Sequence, residues 1–295
     1  MATDGQAGEI AVLIVSYRTG PSLFMALDRV GAAAEVGQII LVDNGNDAET
    51  RAELGRRAAA EPRLLLISGQ GNVGFARACN LAAARATSPY LLLLNPDCLI
   101  EPGALGHLLG RVRDLKPPWI ATLRLTGPDG AEQRGCRRNL ATPGNCLSEA
   151  LGLWRLPGLH GWRLNLADRP LPADLAPVPA LSGAFMLMPR ASYEALGGLD
   201  EGYFLHVEDL DLCARLAAAG GSAWFLPQAG ATHLKGTSHA SPLAVERHKA
   251  AGFRRYFLAH CRAKMPRILL HSVWLVLAAG LLLKGTIRSI CAYPR

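Results

Sequence analysis

The sequence predicts an α/β fold with a mostly parallel central sheet flanked by helices, and a basic and apolar helical tail behind it. Three observations predict this. Short apolar runs alternate with segments of helical spacing through residues 10–100. Those runs are apolar throughout, as strands covered on both faces are, rather than alternating. From Arg247 onward there are ten Lys or Arg and no Asp or Glu, whereas residues 1–246 hold 21 basic and 24 acidic residues.

The elements follow in order. "IAVLIVSY" (10–17) is a β-branched apolar run closed by "RTGP", which reads as a buried strand. "PSLFMALDRVGAAA" (21–34) has helical spacing, and "QIILVDNG" (38–45) is a second strand ending on Asp43. A polar helix, "DAETRAELGRRAAA", leads to a third strand, "RLLLIS" (63–68), and the turn-forming "GQGN". "VGFARACNLAAARA" (73–86) reads as a helix with Asn72 at its N-cap, and "YLLLLN" (90–95) as the fourth strand.

Residues 117–180 are less regular. Nine prolines and three tryptophans there read as loops, short helices and an edge strand. The strand pattern resumes in "ALSGAFMLMPR" (180–190), and "LDLCARLAAAG" (210–220) reads as a helix stopped by Gly220-Gly221. The tail carries a 16-residue apolar stretch, Ile268 to Leu283, interrupted by His271 and Ser272. A simple membrane span needs about 20 apolar residues. The stretch therefore reads as a helix in the membrane interface, a buried packing helix or a short span. Seven of the ten tail cations precede it, between Arg247 and Arg267, which favours an anionic membrane surface.

The chain has 295 residues, half of them hydrophobic, so a sizeable core is available. Its seven cysteines lack any C-x-x-C or Cys/His ligand spacing and read as reduced thiols. "MATDGQAGE" has no basic region followed by an apolar run, so no signal peptide is expected and residues 1–9 read as disordered.

In an open parallel sheet, ligands bind beyond the carboxyl ends of the strands. Here those ends carry Ser16 and Tyr17, then Asp43, then Gly71-Asn72, then Asn95-Pro96-Asp97. Each alone reads as a turn former, but their recurrence at one edge points to a polar ligand site. A second cluster lies in "GYFLHVEDLDLCARL" (202–216), where Glu208, Asp209 and Asp211 fall within four positions. Adjacent carboxylates push one pKa upward, which suits a general base, and the same residues also suit a helix N-terminus.

Seven segments, "VLIVSY", "ILVDNG", "GNVGFARACN", "LLLLNPD", "LSGAFMLMPR", "GGLDEGYFLHVEDLDLCARL" and "PQAGATHLKGTS", together resemble the inverting glycosyltransferases of family 2. They run in that family's order from about residue 10 to residue 240 and are most similar to its rhamnosyltransferase branch. The resemblance implies a GT-A fold over residues 10–240, with a nucleotide-binding half (10–116) and an acceptor-binding half (117–240). Residues 241–295 would form the membrane-associating tail.

The resemblance also assigns roles. Asn95-Pro96-Asp97 stands where the family has D-x-D. Asp97 would bind a divalent cation, Mn²⁺ or Mg²⁺, that holds the donor diphosphate, and His233 would be a further ligand. Asn95 departs from the acid of that motif, which lowers the charge offered to the metal. Ser16, Tyr17, Asp43, Asn72, Gly74, Arg77 and Asn95 would surround the donor nucleotide. Asp209 would be the catalytic base and Glu208 would orient it or the acceptor. Ser182 and Gly183 would line the acceptor side.

The implied activity is metal-dependent, inverting sugar transfer from a nucleotide diphosphate donor, with dTDP-L-rhamnose as the first choice. UDP-linked N-acetylglucosamine, hexose or galactofuranose donors are the alternatives, as is a catalytically silent relative. The tail and the resemblance imply a lipid-linked glycan acceptor and a cytoplasmic, peripheral location at the inner face of the cell membrane. A dinucleotide-dependent oxidoreductase would need G-x-G-x-x-G after the first strand, where "SYRTGPS" stands. Nucleic-acid signatures with interleaved aromatics are absent, so no nucleic-acid partner is expected.

Overall fold

The computed structural model describes residues 8–238 and 240–291. The disordered N-terminus expected for residues 1–9 falls mostly outside them. The first half follows the predicted alternation: β1 (Ile10–Ser16), α1 (Pro21–Gly31), β2 (Val36–Asp43), α2 (Ala48–Ala60), β3 (Leu64–Ile67), α3 (Phe75–Ala83) and β4 (Tyr90–Leu94). Strands β1 to β4 pair in parallel in the order β3-β2-β1-β4. β1 is buried along its whole length between helices on both faces, which explains its unbroken apolar run.

The second half adds β5 (Cys98–Ile100), α4 (Ala104–Val112), β6 (Trp119–Thr126), β7 (Arg137–Arg138), α5 (Pro143–Leu151), β8 (Ala176–Val178), β9 (Ala180–Leu181) and β10 (Phe185–Pro189). It continues with α6 (Arg190–Ala195), α7 (Glu208–Ala218), β11 (Ser222–His233), α8 (Pro242–His260) and α9 (Arg267–Cys291). The main sheet extends as β4-β10-β6-β11-β5, with β8 also on β11. β10 runs antiparallel to β4 and β6, and β11 antiparallel to β5 and β8, so this half is mixed rather than parallel.

Between residues 117 and 180, β8 is an edge strand that pairs with β11 alone among the described strands. The same region also supplies β6, an unexpected interior strand between β10 and β11, with Trp119, Ile120, Ala121 and Leu123 buried. Two prolines just before it obscure the pattern in sequence.

The antiparallel insertion of β10 positions the site. Phe185 pairs with Leu94, so the loop entering β10 meets the chain leaving β4. There Asn95 N–H donates to Ala184 C=O at 2.9 Å. Segments 95–97 and 182–184, far apart in sequence, thus share one end of the sheet.

Helix α8 packs on the body through Phe253, Tyr256 and Phe257, all buried. Helix α9 packs back along α8, and the indole N–H of Trp274 donates to Ala250 C=O at 2.8 Å. α9 is 25 residues long and apolar enough to cross a membrane by length and composition. Ile268, Leu275, Val276, Leu283, Ile287 and Ile290 stand exposed on it. Six of the seven cysteines are buried free thiols, and Cys291 is exposed.

Candidate active site

The floor of the site is a polar network at the ends of β1 and β2. Asp43 is buried, and its Oδ1 accepts from the backbone N–H groups of Gly45 and Asn46 and from the Asn46 amide. This aspartate turn leaves Oδ2 for a ligand. Ser16 is fully buried and donates to Asn46 Oδ1 at 3.1 Å. It braces the loop that follows β2 at the end where the nucleotide contact is expected. Tyr17 is half-buried, its ring within contact reach of Gly45.

Asn72 is exposed, and its Oδ1 accepts from the Asn44 amide at 2.9 Å and from Gly74 N–H at 3.1 Å. It precedes the helix without capping it: α3 begins at Phe75, behind Gly74. Gly74 is required for two reasons. Its φ is 85°, and a Cβ there would stand 2.8 Å from the Phe204 carbonyl oxygen. The same carbonyl accepts from Phe75 N–H at 2.7 Å, so the 71–75 loop is tied to the loop that leads into α7.

Arg77, expected near the donor phosphates, is exposed and pairs with Glu201 at 3.8 Å. Its position on α3 brings it to the neighbouring loop, and its exposed guanidinium is held there only by this loose pair. Asn80 anchors that loop, accepting from Tyr193 Oη at 2.6 Å and from Leu199 N–H at 3.0 Å.

Asp97 and His233 lie opposite one another, both buried, although 136 positions separate them in sequence. His233 Nε2 is 2.9 Å from Asp97 Oδ1 and 3.3 Å from the Asn95 amide nitrogen. His233 Nδ1 is 2.8 Å from Gln133 Oε1, and Thr237 Oγ1 donates to Asp97 Oδ2 at 3.0 Å. Burial raises the Asp97 pKa, but His233 and Thr237 outweigh it and hold the carboxyl below its ordinary value.

With Nδ1 donating to Gln133, Nε2 turns a lone pair toward the Asp97 carboxylate. Two electron-rich atoms at this separation call for a proton or a metal ion between them. The residues fit a divalent cation that also takes oxygen ligands from a bound diphosphate. Among the described residues no three His, Cys, Asp or Glu gather as a self-sufficient metal cage.

The second chemical group is at the N-terminus of α7. Asp209 Oδ2 accepts from Arg138 Nη2 at 2.5 Å and from Gly183 N–H at 2.9 Å, while Oδ1 accepts from Leu210 N–H at 2.8 Å. Burial pushes both adjacent carboxyls up. At Asp209 the Arg138 charge and the Gly183 N–H outweigh it, so this carboxyl sits below its ordinary value. At Glu208, burial and the neighbouring Asp209 charge push the pKa up to about 8. Two adjacent acids thus hold opposite protonation states near neutrality, which is how acid and base roles are separated.

Gly183 belongs to the expected acceptor segment, and its N–H on Asp209 ties that segment to the start of α7. A Cβ there would lie 3.2 Å from Asp209 Cβ. Ser182 Oγ accepts from Ala184 N–H at 3.3 Å and shapes the same turn. Ala184 carries the connection to Asn95, two residues from Asp97.

The approach to α7 is strained. His206 and Val207 have φ of 68° and 75°, unusual for non-glycine residues and most of all for a β-branched one. Gly252 of α8 packs on this strained turn, since a Cβ there would come within 3.0 Å of the His206 carbonyl oxygen. Asp211 is buried and accepts from Arg215 Nε at 2.8 Å, with His260 Nε2 of α8 at 2.7 Å. It fastens the first tail helix, α8, to α7, a role its place in an acidic run does not disclose.

The sequence profile of glycosyl transferase family 2 matches residues 11–196. The chain belongs to glycosyl transferase family 2. It is a glycosyltransferase with a GT-A-like α/β fold. It is 29% identical over 260 residues to the N-acetylglucosaminyl-diphospho-decaprenol L-rhamnosyltransferase of Mycobacterium tuberculosis, covering 82% of each chain. It is 27% identical over 231 residues to rhamnosyltransferase WbbL of Escherichia coli K12, covering 76% of this chain and 83% of that one. Its fold matches that of the mannosyltransferase PcManGT from Pyrobaculum calidifontis, solved with GDP-Man and Mn²⁺. The TM-score is 0.57 at 17% identity, over 97% of this chain and 76% of that one.

Arg138, Gln133 and Thr237 escape sequence reasoning as site residues. Arg138 and Gln133 lie in the irregular middle, where no periodicity flags them. Thr237 stands inside the matched "HLKGTS" segment, and only its bond to Asp97 distinguishes it.

Proposed function

We propose that this glycosyltransferase moves L-rhamnose from dTDP-rhamnose, with inversion, to a hydroxyl of a lipid-linked glycan acceptor. The observation that carries the reading is the pairing of two poles on one sheet end. An ionised base, Asp209, is held by Arg138 and the Gly183 N–H. The 182–184 turn links it to Asn95, beside the Asp97–His233 pair. Two rhamnosyltransferase relatives support the sugar, and the diphospho-decaprenol in one relative's name supports the acceptor class.

Asp209 takes the proton of the acceptor hydroxyl as its oxygen attacks the anomeric carbon. Attack opposite the leaving diphosphate inverts the configuration in one displacement. Glu208, protonated at neutral pH, keeps a second negative charge away from the nucleophile. Asp97 and His233 would hold Mn²⁺ or Mg²⁺, which neutralises the charge growing on the departing nucleoside diphosphate. Asp43, Tyr17 and Asn72 border the nucleotide, with Ser16 and Gly74 shaping their loops and Asn95 placed against His233. Residues 10–240 act as the catalytic unit. Residues 241–295 bring it to the cytoplasmic face of the membrane, through the basic segment and the exposed apolar face of α9.

Thermal unfolding with dTDP, UDP or GDP, each with and without Mn²⁺, tests this. A nucleotide at about 100 times its Kd adds about 2.7 kcal/mol of stability. The expected result is a Mn²⁺-dependent rise with dTDP that Asp97→Ala abolishes. A rise with UDP alone would move the donor to the UDP-sugars, and no rise with any nucleotide would refute the reading.

A further inference from the structure

A charged cluster lies outside the site described above, where α8 meets α9. Glu246 is buried at 3% exposure, and its Oε2 has no hydrogen-bond partner among the described residues. Three cations surround it: Lys249 at 3.8 Å, Lys284 at 3.7 Å and Arg288 at 3.8 Å. None is within ordinary hydrogen-bonding distance, unlike the 2.7–2.8 Å contacts that Arg255 of the same helix makes with Asp200 of the loop before α7. Among the described residues these three side chains form no hydrogen bond, and Lys284 and Arg288 are 51% and 61% exposed. One carboxylate thus spaces three cations around itself and leaves two positive charges over.

The placement of the cluster gives it meaning. Lys249 is on the side of α8 that carries Gly252 and the strained turn, close enough to Asp209 and Arg138 for their charges to act on its ammonium. Lys284 and Arg288 flank Gly285 on α9. A Cβ at Gly285 would lie 3.0 Å from Leu243 Cα, so glycine permits the close approach that brings both cations to Glu246. Beyond them Leu283, Ile287 and Ile290 are exposed. Outward from the base the order is therefore carboxylate, surplus positive charge, apolar helix face.

We infer that Lys249, Lys284 and Arg288, spaced by Glu246, seat the diphosphate linker of a prenyl-diphosphate-linked acceptor. A diphosphate diester carries two negative charges, which match the two left over. Its sugar then extends toward Asp209 and its prenyl chain along α9. The inference rests on the proposed lipid-linked acceptor and adds where that acceptor's charge is held.

The test measures binding of farnesyl diphosphate and of farnesol to the full chain. The wild type should bind farnesyl diphosphate about tenfold or more tighter than farnesol, and K284Q/R288Q should remove most of that difference. The charge-conserving K284R/R288K should retain it. Equal affinity for the two probes in the wild type, or a difference that survives intact in K284Q/R288Q, would overturn the inference. So would K284Q/R288Q losing affinity for phosphatidylglycerol vesicles while keeping it for farnesyl diphosphate, which would assign the cations to the bilayer. The dTDP and Mn²⁺ thermal shift of the same samples reports the donor site separately, so failure here and failure of the proposed transfer are distinguishable.

Discussion

Arg138→Gln is the most informative substitution in this protein. Arg138 and Asp209 are each only 14% exposed, and their ion pair is the shortest charged contact at the proposed base. Arg138 also donates to the Leu181 carbonyl, so it holds the 181–183 turn as well as the carboxylate. Removing one partner of a buried pair costs about 3–5 kcal/mol, because the other charge is left uncompensated. Asp209 has a way to lower that cost, which is to take up a proton. Burial favours the neutral form once the guanidinium is gone. Its folded pKa, now held below the ordinary value by that guanidinium, should therefore rise. The assay is the pH dependence of kcat/KM for sugar transfer. The acid limb of the R138Q profile should move upward, with loss of rate greatest at low pH and partial recovery as pH rises. A uniform loss at every pH, with the acid limb unmoved, would refute the claim that Arg138 keeps the base ionised.

Three other outcomes are expected. Asp209→Asn should remove transfer while nucleotide-induced stabilisation survives; near-normal turnover would exclude it as the base. Glu208 has a folded pKa of about 8 against an ordinary 4.5, so the folded state binds the extra proton between those values. Its stabilising contribution is complete below about pH 4.5 and is lost as pH rises through about 8. Glu208→Gln should flatten the fall of Tm across that window, and an unchanged slope would show that another group is responsible. Deleting residues 266–295 should release the protein from anionic vesicles while dTDP and Mn²⁺ still raise its Tm. Undiminished vesicle binding would exclude α9 as the anchor.

The sequence by itself determined the first half of the fold, because there the information is local. A run such as Ile10–Val15 is wholly buried, and no other placement would hide it from water. The strand ends then bring Asp43 and Asp97 to one edge whatever follows, since parallel strands share a direction. The motifs around Asp97, Asp209 and His233 were legible as a family pattern for the same reason, each being a contiguous segment. Tertiary structure decided what depends on partners distant in the chain. Arg138 lies 71 positions before Asp209, Gln133 100 before His233, and His260 49 beyond Asp211. No periodicity encodes such distances, because they are set by how the mixed second half of the sheet brings loops together. The same holds for the partners of Ser16 and Arg77. Ser16 meets Asn46, which folds back over it, and Arg77 meets Glu201 because α3 faces that loop. A residue's type and its neighbours in sequence state what chemistry it can do. Only the fold decides which group it meets, and so which of those chemistries it performs.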